Sequence, residues 1–486
     1  MAGKVQIAAS GFITEQLVGE PDFTYFNNFF PKHRHFAKET VKLKPDNEKD
    51  VQTGDHIEFT IPANSGDILN RLSISFSIPE NLSEYNTSTE GNLLVDQFGI
   101  SIFEYIDLYI GDQLLDRITS DDINIYNVTR APSTYASTND CIQGVKLNHG
   151  LSYWVNGQSM RTNEFKHSGG SYTLNTVFNN YIVDLPFYFH DRPKHGFPLC
   201  SIQFQELKIR VKLRHGREVI FPLRSVGSGQ FDDWSYQNDH KTENIPLSNF
   251  KLNMDVIHLD TSERVKLRSM CKNILIEQNQ HNTFTMERGI KSQSYRLDLK
   301  NCVKELYFIA KKKPKVLTSG EITILNTIAG SDITSYGSSA LDEIFVGTKI
   351  LQKPVPCIYM RQKHVTLTCD GIPILDETTG SHQFLSACIP NVYHKQTPIE
   401  NNLTMYSFAL RPDNIEPSGD LNFTMIKDAT MQMTLSSDGS YGLYSIYNEL
   451  LNSNASHIVH VEKDITIIAK SYNILRIKDG VGEILF

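Results

Sequence analysis

The feature that most restricts this chain is an alternation of apolar and polar residues with a period of two, recurring in segment after segment. Leu72, Ile74, Phe76 and Ile78 are separated by Ser73, Ser75 and Ser77. Ile57, Phe59 and Ile61 alternate with Glu58 and Thr60, and Leu207, Ile209, Val211 and Leu213 with Lys208, Arg210 and Lys212. Tyr406, Phe408 and Leu410 repeat the pattern, as do Met431, Met433 and Leu435. Successive side chains of a strand point to opposite faces, so each segment offers one apolar and one wet face. Only a layered β structure buries many such faces at once.

Turn chemistry agrees. Leu108–Ile110 and Gln113–Asp116 flank Gly111-Asp112, and Val365–Cys369 and Ile372–Leu375 flank Asp370-Gly371. Each reads as a two-residue hairpin, where glycine supplies the positive φ of a tight turn. The two hairpins look like distant kin: Leu108 to Asp116 and Leu367 to Asp376 each run from a leucine through a Gly/Asp turn to a Leu-Asp pair. Each is followed by a proline-containing turn and a long alternating strand, Pro198 to Leu213 in one half and Pro417 to Leu435 in the other. This suggests two tandem domains of one type. The expected organisation is an N-terminal arm at 1–30, a first domain at 31–216, a polar linker or loop at 217–249 and a second domain at 250–486. Helical patterns are few. Pro21 to Phe30 reads as a short helix, and Thr261 to Gln278 as a helical stretch capped by Asp260 or Thr261.

Composition narrows the function. A hydrophobic fraction of 40% and a charged fraction of 21% describe an ordinary folded protein. A net charge of −8, from 47 basic and 55 acidic residues, argues against a chain whose main work is coating nucleic acid. The seven cysteines contain no C-x-x-C pair, so neither a zinc ribbon nor a thioredoxin-like site is signalled. They are expected to be free, mostly buried thiols of a reducing compartment. The first ten residues lack the apolar run of a secretory signal, and no apolar stretch reaches membrane-spanning length. The six N-x-S/T sequons, at Asn81, Asn86, Asn127, Asn402, Asn422 and Asn454, are therefore expected to be chance occurrences.

Candidate chemistry is thin. His33, His35 and Glu39 form H-x-H-x-x-x-E, similar to the first metal-binding motif of the cupins, where two imidazoles and a carboxylate on one strand face hold a metal. Asn27 and Asp46 stand where the framing glycines would be, and Pro417-Ser418-Gly419 ends in Asn422 rather than the second motif's histidine. No metal is expected here. No nucleophile elbow, H-E-x-x-H helix or P-loop occurs. His457, His460 and Glu462 read as a solvated group, and Lys311 to Lys315 as a basic loop. The aromatic arm says more: Phe23, Tyr25, Phe26, Phe29 and Phe30, followed by His33 and Arg34, place a large apolar payload near the start of the chain. These seven residues are the candidate assembly contacts.

Several blocks, in order, resemble the major capsid proteins of nucleocytoplasmic large DNA viruses. They include Leu17-Val18-Gly19-Glu20-Pro21 with Phe23 to Phe26, then His33 to Ala37 with Glu39, Gly66 to Leu69, and Ile106 to Arg117. Leu185 to Phe189 and Phe197 to Arg214 follow, then Leu259 to Arg264, Leu275 to Gln278, and Val303 to Leu306. Tyr406 to Pro412, Glu416 to Gly419 and Tyr472 to Arg476 complete the series. The resemblance spans nearly the whole chain. It implies an all-β fold of two tandem eight-stranded jelly rolls with long inter-strand loops. It implies no enzyme activity and no cofactor. It further implies a homotrimer forming a pseudo-hexagonal capsomer of an icosahedral shell, assembled in the host cytoplasm. The implied partners are neighbouring capsomers, minor capsid and penton proteins and an inner viral membrane, without specific nucleic acid binding. The rival readings are a transient scaffolding relative of the same fold, a cupin-like metal-binding enzyme and a carbohydrate-binding sandwich.

Overall fold

The computed structural model describes residues 8–9, 11–13, 26, 33–47, 50–78, 90–94, 98–130, 165–168, 171–174, 180–225, 234–236, 244–269, 272–287, 289–312, 359–397, 402–436 and 463–486. The chain divides into one unit of residues 1–36 and another of residues 37–486.

The first half supplies eight principal strands. They are β1 (Phe36–Leu43), β2 (His56–Ile61), β3 (Ile68–Ser77), β4 (Phe103–Ile110), β5 (Gln113–Thr119), β6 (Asn180–Asp184), β7 (Leu207–Leu213) and β8 (Pro246–Leu259). One sheet has the order β1-β8-β3-β6 and the other β2-β7-β4-β5. The second half supplies eight more: β9 (Lys272–Met286), β10 (Ser292–Arg296), β11 (Cys302–Lys312), β12 (Gln362–Cys369), β13 (Ile372–Leu375), β14 (Thr404–Ser407), β15 (Ala429–Leu435) and β16 (Lys463–Lys478). Their sheets run β9-β16-β11-β14 and β10-β15-β12-β13. Adding eight to each label of the first half reproduces the second. This is a double jelly roll, two sandwiches of identical strand order.

The alternation read from sequence becomes the two cores. Ile57, Phe59 and Ile61 of β2, Leu72, Ile74 and Phe76 of β3 and the apolar set of β7 are buried in the first cluster. Val365 and Leu367 of β12 and Met431, Met433 and Leu435 of β15 are buried in the second. Burying each such side chain contributes about 1.5–3 kcal/mol. Both expected hairpins form. Gly111 has φ +57°, which suits the glycine-first order of a type II′ turn, whereas Asp370 and Gly371 both have positive φ, at 48° and 81°, as a type I′ turn needs.

Strands alternate in direction, so connections alternate between the two ends of each roll. Those between β3 and β4 (78–102), β5 and β6 (120–179) and β7 and β8 (214–245) are long, as are those between β11 and β12 (313–361), β13 and β14 (376–403) and β15 and β16 (436–462). Two of the first roll's connections meet, since Glu90–Leu94, Ile220–Ser225 and Trp234–Tyr236 form a three-stranded sheet.

Several expectations shift. Residues 250–259, expected at the head of the second domain, pair with β3 of the first roll through β8, from Ser248↔Ser77 to Ile257↔Ile68. The passage between rolls therefore falls at the helix Thr261–Ser269, rather than in 217–249. That helix is α2, Ser120–Thr129 being α1, and Asp260 stands at its N-cap position, its carbonyl accepting from the amides of Glu263 and Arg264. It stops at Ser269 instead of continuing to Gln278, because β9 pairs from Lys272↔Ile477 to Met286↔Lys463 with β16. A complete ladder on the neighbouring strand overrides a local helical preference. The strand at Tyr406 ends at Ser407, and Leu410 is exposed. The amides of Phe408 and Ala409 turn back to the carbonyl of Lys304. Phe26 lies in a turn, and the rest of the expected 21–30 helix lies outside the described residues. Of the described cysteines Cys200 and Cys369 are buried, Cys302 is half-buried and Cys388 is exposed, all free. The sequon residues Asn127 and Asn402 are buried.

Candidate assembly site

The arm candidates come first. Phe26 is 98% exposed. His33 and Arg34 are also exposed, with the His33 ring set edge-on to Phe36 at 5.8 Å. Phe23, Tyr25, Phe29 and Phe30 lie outside the described residues. Glu39 on β1 faces across the sheet to His258 of β8 at 3.1 Å, and its neighbours Lys38 and Thr40 engage Asp255 at 3.3 Å and 2.6 Å. Among the described residues no group of three histidine, cysteine or carboxylate side chains could hold a metal.

A second arrangement, which local sequence reasoning did not single out, lies where the rolls meet. The helix α1 (Ser120–Thr129) follows β5 and begins with a capping box, in which Asp122 accepts from the amide and hydroxyl of Thr119 at 2.8 Å and 2.6 Å. Arg130 follows its last residue and reaches into the second roll. Its Nη2 donates to Glu305 Oε1 at 2.6 Å, its Nη1 lies 3.7 Å from Glu277 Oε2, and its Nε lies 3.5 Å from Asp413 Oδ1. Arg192, also from the first roll, approaches Glu277 at 3.2 Å and donates to the Asp413 carbonyl at 2.7 Å. Lys304, fully buried on β11, donates to Glu277 and, at 2.8 Å, to the carbonyl of Pro412. His394 bridges Asp413 at 2.8 Å and Glu305 at 3.8 Å, and the Tyr307 hydroxyl donates to Glu305.

The electrostatics follow from this packing. Burial alone would raise the Glu305 carboxyl, but the Arg130 guanidinium, with His394 and Lys304, holds it below the usual carboxylate range. Glu277 is likewise buried and held down by Lys304, Arg192 and Arg130. Lys470 of β16, buried and repelled by Arg130, falls to about 8. Glu277, Glu305 and Asp413 each face at least one cation of this group. Removing one partner of such a group leaves an uncompensated buried charge. The group's signal was present in sequence as an interruption: Lys304 and Glu305 break the apolar run of β11 between Val303 and Leu306, and both are buried. Their partners could not be read locally.

Residues 24–260 match the family described as major capsid protein N-terminus. Residues 263–483 match the family described as large eukaryotic DNA virus major capsid protein. The junction between the matches falls at the start of α2. The chain is 22% identical to the major capsid protein of Phaeocystis pouchetii virus, covering 100% of this chain and 99% of that one. It is 23% identical to the major capsid protein of Paramecium bursaria Chlorella virus 1, covering 100% of both. Among solved structures, a chain of the PBCV-1 virus capsid matches with a TM-score of 0.63 at 18% identity, over 95% of this chain and 100% of that one. The Faustovirus major capsid protein matches at 0.62 and 13% identity, over 96% and 94%. At these identities the structural likeness is one of fold.

Proposed function

This chain belongs to the major capsid protein family of large eukaryotic DNA viruses, and on that premise we propose that three copies join into a pseudo-hexagonal capsomer of an icosahedral shell. The observation that carries this reading is the repeated strand order. Two equivalent sandwiches in each chain, taken three times, give six similar bodies around a threefold axis. The long connections then provide outer surface that can vary without disturbing the sandwiches.

The arm residues Phe23, Tyr25, Phe26, Phe29, Phe30, His33 and Arg34 are proposed to make assembly contacts, supported by the exposure of Phe26. Neighbouring capsomers, minor capsid and penton proteins and the inner viral membrane complete the proposed partners, and the host cytoplasm the proposed place of assembly.

Light scattering on the purified chain tests the capsomer. A peak at three times 55.2 kDa is expected, and a stable monomer at assembly concentrations would overturn it. Deleting Met1 to Phe30 is expected to leave the trimer and impair shell formation. Normal particles from the deletion would remove the role given to the arm.

A further inference from the structure

Within the chain, α1 occupies the connection between the fifth and sixth strands of the first roll and lies on the outward face of the second roll's β9-β16-β11-β14 sheet. Its Ile125 is buried in the second core cluster, and Val128 packs against that cluster. Asp121 is held by Lys311 of β11, and Asp122 by His281 of β9 at 2.8 Å. Alternate residues of β11, Glu305, Tyr307, Ile309 and Lys311, point to this face. Tyr307 and Ile309 are fully buried there.

Each half of that contact has an exposed counterpart. The second roll carries α3 (Ile389–Tyr393), which continues a helical turn from Phe384–Cys388 between its own fifth and sixth strands. Leu385 and Ile389 anchor it in the second core. Counted back from the residues that cap the two helices, Arg130 and His394, Val392 stands where Val128 stands in α1. Val128 packs against the other roll, whereas Val392 is 70% exposed. The counterpart of the covered sheet is β1-β8-β3-β6 of the first roll. Leu72, Ile74 and Phe76 of β3 point into the core, so Ser73, Ser75 and Ser77 point outward. Lys251 of β8 and Ile182 of β6 flank Ser75 across the strands, and the three form one outward row. Lys251 and Ser75 are half-buried, and Ile182 is 43% exposed. The serine is the low point of the row, with an aliphatic side chain at its open end.

We propose that the contact made once within the chain is repeated between chains: α3 of one copy seats on the outward face of β8-β3-β6 of a second copy, with Val392 over Ser75 and beside Ile182. The inference rests on the threefold reading above and adds the surfaces that make it. A rotation that carries the first roll onto the second also carries the second onto the first roll of the next chain. The seat of α1 on one sheet then becomes the seat of α3 on the next. Such a contact joins two different patches, so it is head-to-tail and closes when six rolls complete the turn. It lacks the cation of the inner contact. His394 stands in the place of Arg130 and turns back to Asp413 of its own roll at 2.8 Å.

Light scattering on a dilution series of the full-length chain tests the joint. Val392→Glu and Ile182→Glu each place a carboxylate in it, at side chains that a single chain leaves in solvent. The fold of the chain, followed by near-ultraviolet circular dichroism, is therefore expected to persist. Each variant is expected to raise the dissociation constant of the trimer by about a hundredfold or more. Met425→Glu, at a residue 75% exposed elsewhere on the second roll, is expected to leave it unchanged. A trimer as tight as wild type from either joint variant overturns this face while the threefold reading stands, and a wild-type monomer removes both. Should a variant lose its near-ultraviolet spectrum, hydroxyl-radical labelling of the wild-type trimer decides. Ile182 and Val392 are expected to label as buried side chains, and labelling in line with their exposure in the single chain refutes the joint.

Discussion

In the first roll the core is built from stacked rings: Phe76 lies at 19° to Tyr181 and 26° to Phe250, and Phe59 at 16° to Phe250. In the second roll Met286, Met405, Met431 and Met433 enter the core beside Tyr295, Tyr307 and Phe308, and Phe284 stacks on Tyr295 at 22°. The outer faces differ as much. Arg117 lies over Tyr105 at 4.3 Å and Arg210 over Tyr109 at 4.5 Å on the first roll's β2-β7-β4-β5 sheet. The equivalent face of the second roll presents Ser292, Ser294, Thr366, Thr368, Thr430, Gln432 and Thr434. The leading strands differ too. β1 is an edge whose first five residues are exposed, whereas the fifteen residues of β9 pair along their whole length and meet the first roll. One topology thus tolerates two core chemistries and two surface chemistries. What the rolls share is the place of apolar side chains along each strand and the tight turn between their fourth and fifth strands.

The comparison breaks most sharply at the contact that neither roll possesses alone. Arg130→Leu leaves Glu305, Glu277 and Asp413 buried without their shared cation, and is expected to cost about 3–5 kcal/mol of stability in denaturant unfolding. A loss no larger than that of an exposed arginine would show that the rolls dock without it.

Core chemistry gives the next test. Phe76→Ala removes the ring that stacks on two others, at an expected cost of about 3–5 kcal/mol. Met431→Leu conserves volume in a flexible core and is expected to cost less than about 1.5 kcal/mol. Equal costs would mean that ring stacking does not distinguish the two interiors.

Acid weakens the buried group around Arg130. Glu305 is held low by Arg130 against the effect of burial, and Asp413 by its bond from His394. The unfolded chain therefore takes up these protons first as pH falls. The stability they confer is present above the ordinary carboxylate range of about 4 and is lost below it. The urea midpoint is expected to fall between about pH 5 and 3, and Asp413→Asn to cost about 1–3 kcal/mol at pH 7 while flattening that fall. A midpoint insensitive to acid would contradict the reading of the Arg130 network.

The smallest effect is expected on the second roll's hydroxyl face. Gln432 is exposed and donates only to Ser292 at 3.0 Å, so Gln432→Ala should change stability by no more than about 0.5 kcal/mol. A larger loss would mean that this face carries structure and not only solvent.

Much of the architecture was legible residue by residue. The alternation at Leu72 to Ile78, Leu207 to Leu213 and Met431 to Leu435 located three strands, and the kinship of Leu108–Asp116 with Leu367–Asp376 located the same hairpin in both rolls. These features are local: a strand's period and a turn's demand for positive φ are satisfied within a few residues. The fate of Lys272 to Gln278 was not legible, because whether that segment is helix or strand is decided by β16, which lies near the far end of the chain. The boundary between the rolls moved for the same reason, since β8 is claimed by β3. Of the arm candidates, Phe26, His33 and Arg34 lie among the described residues, and all three are exposed. The buried ions were least legible of all. Arg130 and Glu305 are 175 residues apart, and nothing near either in sequence states that the other will be its counter-ion. Period and turn chemistry alone therefore determined that this chain would form layered β domains, two of one type. Which charges would be trapped between them was left to the tertiary structure, because burial and ion pairing are properties of groups brought together only when the sheets close.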